Sequence, residues 1–130
     1  MKEDLQQYAR LLLQEGVNLQ QDQLLVINGD VENKDFVYIV VDEAYALGAK
    51  DVHINWRSTI TAKSRLSNVK DEVLSNPAPW IKDMYQHILD SNACILSLIS
   101  ANPFAYEGVP SEKIALASRS MGKLTKFYHE

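Results

Sequence analysis

The chain has 130 residues, a formal net charge of −4 and 46% hydrophobic residues, enough apolar material for one domain with a buried core. The negative balance, with a pI near 5.3, argues against general binding to nucleic-acid backbones, which needs a cationic surface. No apolar run reaches the ~18 residues of a membrane span, no secretory hydrophobic region opens the chain, and the single Cys94 excludes an internal disulfide framework, so a cytoplasmic protein is the simplest reading.

Asp4 to Gln14 has the spacing of an amphipathic helix. Leu5, Tyr8, Ala9, Leu12 and Leu13 share one face, and Gly16 is placed to cap it. Gln20 to Gln23 is polar and leads into Leu24-Leu25-Val26-Ile27-Asn28, a short buried strand. The next stretch is locally ambiguous. Phe36 to Val41 is aromatic and β-branched, as strands are, and Asn28-Gly29 is a hairpin signal. The wider spacing favours a helix from Asn33 to Leu47, because Phe36, Val37, Val40, Val41, Ala44 and Leu47 fall on one helical face. Asn33 is placed as its N-cap, Asp35 suits the first turn, and Gly48 supplies a left-handed C-cap. Asp51-Val52-His53-Ile54-Asn55-Trp56 reads as a second strand. Strand, helix and strand over this length make a parallel crossover unit, which covers a sheet with helices.

Arg57 to Lys70 holds Arg57, Lys63, Arg65 and Lys70 and no acid. It reads as a solvated helix or loop edge, or as a cationic rim that meets a carboxylate or another domain. Pro77 and Pro79 break the chain before a helix from Trp80 to Asn92, whose apolar face is Ile81, Met84, Tyr85, Ile88 and Leu89. Ala93 to Ser100 is almost continuously apolar, as a central strand buried on both faces would be, and Asn102-Pro103 ends it. A last helix starts at Pro110-Ser111, with Ser111 as N-cap and an apolar side of Ile114, Leu116, Ala117, Met121, Leu124 and Phe127. The expected fold is α/β: a single domain over residues 1–130, three-layered, with a mostly parallel sheet and helices on both faces. Three strands make a thin parallel sheet, so the chain reads as an incomplete part of a larger two-domain protein.

Open parallel sheets bind ligands at the carboxyl ends of their strands. Those ends carry Asn28, Gly29 and Asp30, then Asn55, Trp56 and Arg57. A nucleotide is a poor fit there, because Asp30, Glu32 and Asp35 would occupy the positive end of the following helix and repel phosphate. The sequence also lacks Gly-x-Gly-x-x-Gly, a phosphate-binding loop and the Gly-x-Ser-x-Gly hydrolase elbow. Trp56 either caps the core or lines a cleft or interdomain contact, with Arg57 available for a carboxylate. Asp83, His87 and Asp90 have the spacing of helical metal ligands. They lie opposite Ile81, Tyr85 and Ile88, however, and read as a solvated polar face. His53, with Asp51 and Asn55 on one strand face, reads as a hydrogen-bonded structural histidine; His129 lies near the end of the chain, and Cys94 reads as inert packing. No residue is assigned a catalytic or metal-binding role.

A further set of segments stands in a specific order. It comprises Leu5 to Gly16 with Val17-Asn18; Gln23 to Asn28; Ala44 to His53 with Trp56; Asn92-Ala93 into the apolar strand; Ser100-Ala101-Asn102-Pro103; and Lys113 to Lys123. In that order and spacing the chain resembles, over essentially its whole length, the N-terminal domain of the aminopeptidase T and aminopeptidase S family of metallopeptidases. The resemblance implies a parent hydrolase that removes N-terminal amino acids from peptides. In it two divalent metal ions, zinc or cobalt, polarise the peptide carbonyl and activate a water. It also implies that the ligands and general base belong to a C-terminal catalytic domain absent here, since His53, His87 and His129 do not match family ligands. No cofactor is then expected in this chain, which would be non-catalytic by itself. The family resemblance further implies a homodimer whose N-terminal domain borders the active-site entrance. Asn28, Asp30, Trp56 and Arg57 are the positions expected near that border. The alternative is a free-standing α/β module that binds a small ligand through the strand ends and basic rim.

Overall fold

A computed structural model describes residues 2–99 and 106–129. The chain divides into two compact units, Met1–Ser58 with Ser91–Ala101, and Thr59–Asp90 with Asn102–Glu130.

The first unit is built on a parallel three-stranded sheet of β1 (Leu24–Asp30), β2 (Asp51–Arg57) and β3 (Cys94–Leu98), in the order β2-β1-β3. The expected α/β class is what forms: a parallel sheet flanked by helices. The central strand, however, is β1 and not the apolar segment after Asn92. Among the described residues β3 pairs only with β1, and its Ser97 is exposed. An apolar run reports burial, whereas strand order is set by where the crossovers lead. Both β1 and β2 also run past their expected ends, so Asp30 and Arg57 are paired strand residues rather than loop residues.

Helix α1 (Lys2–Leu11) continues into a π-helical turn over Leu12–Gly16. The expected glycine cap at Gly16 is not used. The left-handed residue is Asn18, at φ 51°, and the turn closes through the Val17 and Leu19 amides, which donate to Leu12 and Leu13 carbonyls at 3.0 and 2.8 Å. Helix α2 spans Lys34–Ala46 and does end at Gly48, at φ +98°. The Gly48 amide donates to the Tyr45 carbonyl and the Ala49 amide to the Ala44 carbonyl, each at 3.0 Å, which is the paired closure of a Schellman motif. At its start Asn33 makes no side-chain cap. Asp30 does that work one turn earlier, its Oδ1 accepting from the Glu32 amide at 2.9 Å across a short 3₁₀ turn over Val31–Asn33.

The core of this unit joins Ala9 and Leu13, Leu25 and Ile27, Val37, Val40 and Ala44, and Leu96 and Leu98. Burial of each such side chain stabilises by roughly 1.5–3 kcal/mol for the larger ones. Arg10 Nε donates to Glu43 Oε2 at 2.5 Å, tying α1 to α2 where the Glu43 side chain is largely covered.

The second unit is helical: α3 (Thr59–Asn68), α4 (Asp71–Ser75), α5 (Pro79–Asp90), α6 (Ser111–Leu124) and α7 (Lys126–His129). Leu66, Leu74 and Val109 form its core, with Val69, Tyr106, Ile114, Leu116 and Ala117 packed around them. Lys113 Nζ donates to the Val69 carbonyl. Ser111 is the first helical residue of α6 rather than its N-cap, and Pro110 precedes it with no side-chain cap. The periodicity expected to run to Phe127 breaks at Thr125, whose hydroxyl donates to the Met121 carbonyl at 2.9 Å; Phe127 falls in α7. Asn102-Pro103, the expected end of the apolar strand, lies outside the described residues. Among the described residues no helix is long and apolar enough to cross a membrane.

Candidate functional site

The site expected from the sequence lies at the carboxyl ends of β1 and β2. The register sets Asn28 beside Asn55, Gly29 beside Trp56 and Asp30 beside Arg57. Alternation along each strand then sorts these residues onto two faces. Asn28, Asp30, Asn55 and Arg57 share one. Gly29 and Trp56 share the other, with Leu25, Ile27, Val52 and Ile54. The four candidates therefore share one end of the sheet but not one face of it.

On the polar face a ladder of side chains crosses all three strands. Asn55 Nδ2 donates to Asn28 Oδ1 at 3.3 Å, and Asn28 Nδ2 donates to Ser97 Oγ at 3.2 Å. Asp30 is the next residue along this face and is 0% exposed. Its Oδ1 holds the Glu32 amide, but among the described residues its buried Oδ2 has no hydrogen-bond partner. A buried acceptor without a donor is costly, so Oδ2 is the point where this strand end is chemically unsatisfied.

On the other face Trp56 is 42% exposed and meets Tyr38 of α2 edge-on, with ring centroids 6.1 Å apart and planes at 78°. A Cβ at Gly29 would lie 3.3 Å from Ile54 Cγ2 and 3.4 Å from the Trp56 ring, so the missing side chain lets the indole lie against β1. Within this unit Trp56 thus covers part of the sheet and of α2. Arg57 is exposed.

The other singled-out residues are not gathered at a site. His53 is exposed, and among the described residues no hydrogen bond holds its ring, so it is not the bonded structural histidine expected. Cys94 is half-buried against the first core, and burial pushes its thiol pKa up, as suits packing rather than reactivity. Asp83, His87 and Asp90 are all exposed, and Asp90 Oδ1 accepts from Gln86 Nε2 at 3.0 Å. Ser97 was not among the expected site residues. It is the one polar residue between Cys94 and Leu98, which was its signal, but its pairing with Asn28 needs the register.

A family model described as thermophilic metalloprotease (M29) matches residues 1–130. The chain belongs to this family. It is 31% identical to aminopeptidase AmpS of Bacillus subtilis over 97% of its own length and 31% of the relative's. It is 26% identical to aminopeptidase T of Thermus thermophilus over 96% of its length and 31% of the relative's. The solved structure of wild-type AmpT from Thermus thermophilus superposes with a TM-score of 0.87 at 26% identity, covering 96% of this chain and 32% of that one. The chain thus spans about a third of the length of the curated relatives it matches.

The family description implies a metal. The described residues do not fit one: among them no group of three or more His, Cys, Asp and Glu side chains could hold an ion. The nearest thing to an open ligand atom among them is Asp30 Oδ2, a single carboxylate oxygen whose partner Oδ1 accepts from the Glu32 amide.

Proposed function

We propose that this chain is the N-terminal, non-catalytic domain of a metal-dependent aminopeptidase. One observation carries the reading: the chain matches aminopeptidases along nearly all of its own length and about a third of theirs. In the parent, a C-terminal domain supplies two divalent ions, zinc or cobalt, and the groups that hydrolyse the N-terminal residue of a peptide. The parent works in the cytoplasm as a homodimer. Asn28, Asp30, Trp56 and Arg57 stand at the border with the active-site entrance or the dimer interface. The unsatisfied Asp30 Oδ2 supports that placement, because a strand end completed by another part of a protein has an open acceptor when described alone.

The test is a chimera in which this chain replaces the matching segment of Thermus thermophilus aminopeptidase T. It is expected to fold and to hydrolyse an aminoacyl-nitroanilide with added zinc or cobalt. A chimera that is folded by circular dichroism, loaded with metal and inactive would overturn the reading.

A further inference from the structure

We propose that the second unit carries a binding pocket for a small polyanion, formed by Lys82, Arg119 and Lys123. A cavity of about 810 Å³ opens between the end of α4, the Pro77–Pro79 segment, α5 and α6. That is within the range of small-ligand sites, roughly 300–1,000 Å³. Among the described residues its lining contains these three cations and no Asp or Glu, in a chain whose formal net charge is −4.

The placement of the cations is what points to a ligand. Arg119 and Lys123 are four residues apart on α6, so two like charges share one helical face, an arrangement that destabilises a helix. Among the described residues neither has an ion-pair partner. Lys82 approaches from α5, its Nζ held 5.6 Å over the Phe127 ring. Between the two α6 cations Ser120 lines the same cavity at 9% exposure, and among the described residues no hydrogen bond holds its hydroxyl. Repulsion among three cations that line one cavity is relieved by an anion bound there, and the Ser120 hydroxyl adds a donor. The guanidinium fork of Arg119 suits the paired oxygens of phosphate and carboxylate alike. Pro79, Leu116 and Leu124 give the cavity an apolar wall, so the ligand class is a phosphate- or carboxylate-bearing small molecule with an apolar body. This inference does not rest on the aminopeptidase reading, and the chimera and the experiment below can fail separately.

The experiment is titration of the 130-residue chain with pyrophosphate and with citrate at low ionic strength, followed by calorimetry and by amide NMR. Saturable one-to-one binding is expected for at least one probe. Pyrophosphate alone would identify a phosphate ligand, citrate alone a carboxylate ligand, and both a site for either group. Shifts should be confined to Asn76, Lys82 and the α6 turn over 119–123. The double variant Arg119→Gln/Lys123→Gln, changed at exposed positions and checked by circular dichroism, should bind at least about tenfold more weakly. Arg65→Gln/Lys70→Gln, which removes two cations of the same unit outside the cavity, should leave binding unchanged. The proposal is overturned by non-saturating titrations or by equal weakening in both double variants. Saturation by poly-glutamate alone would also overturn it, since the surface would then dock a polypeptide.

Discussion

Asp30 divides its carboxyl between two jobs. Oδ1 caps the turn into α2, and among the described residues Oδ2 is buried with no donor. Asparagine keeps a capping oxygen and removes the buried charge, so Asp30→Asn should unfold in urea at the same or a higher midpoint than the native chain. Asp30→Ala loses the cap and should cost about 1 kcal/mol. A midpoint for the asparagine variant well below that of the alanine variant would show that Oδ2 has a donor after all. Cys94 gives a pH prediction. Burial raises its thiol pKa above the ordinary value, so the folded chain holds the proton to higher pH than the unfolded chain does. That stability is fully present below the unfolded thiol pKa and is lost as pH rises through the folded one. Cys94→Ala should flatten the alkaline loss of stability, and iodoacetamide at mildly alkaline pH should alkylate the folded chain more slowly than the urea-unfolded one. The residues at the strand ends could be found in the sequence because apolar runs and turn signals bracket them. Their faces could not be, because ending the strands at Asn28 and Trp56 leaves Asp30 and Arg57 in loops, where alternation does not apply. The orphan Oδ2 and the Asn28–Ser97 bond depend on register, which no local pattern encodes.

Among the elements, α2 was the most legible, since its face recurs through Leu47 and Gly48 stops it. Gly48 is also where a substitution should be felt most directly. A Cβ there would press on the end of the Gln21 side chain, which would have to move, and its φ of +98° disfavours any L side chain. Gly48→Ala is expected to cost about 1–2 kcal/mol, read as a lower urea midpoint at unchanged slope. Arg10 and Glu43 couple α1 to α2, and removing the guanidinium leaves a largely buried carboxyl unpaired. Arg10→Ala should cost about 1–2 kcal/mol, and the double variant Arg10→Ala/Glu43→Ala should cost less than the sum of the two single variants. Two elements escape local pattern for different reasons. Helix α4 is only five residues long, too short for periodicity to show before Pro77. The segment at β3 is apolar enough for a central strand, yet its place in the sheet follows from the paths of the connections, not from its composition.

At the scale of the whole molecule, the α/β class and the family were legible, because apolar spacing and ordered short segments survive at about 30% identity. The division into two compact units was not, since the helical unit is assembled from two stretches separated by β3. The 130-residue chain should fold and should not hydrolyse an aminoacyl-nitroanilide with zinc or cobalt present. Turnover that disappears in Asp83→Ala or His87→Ala would place the chemistry within this chain. The sequence holds two tryptophans, and the division assigns one to each unit, Trp56 over Gly29 in the first and Trp80 at the start of α5 in the second. The protein therefore carries its own pair of fluorophores, and Trp56→Phe and Trp80→Phe each leave a single emitter that reports one unit. Coincident fluorescence melts would make the chain one cooperative folding block, and separated melts would make it two.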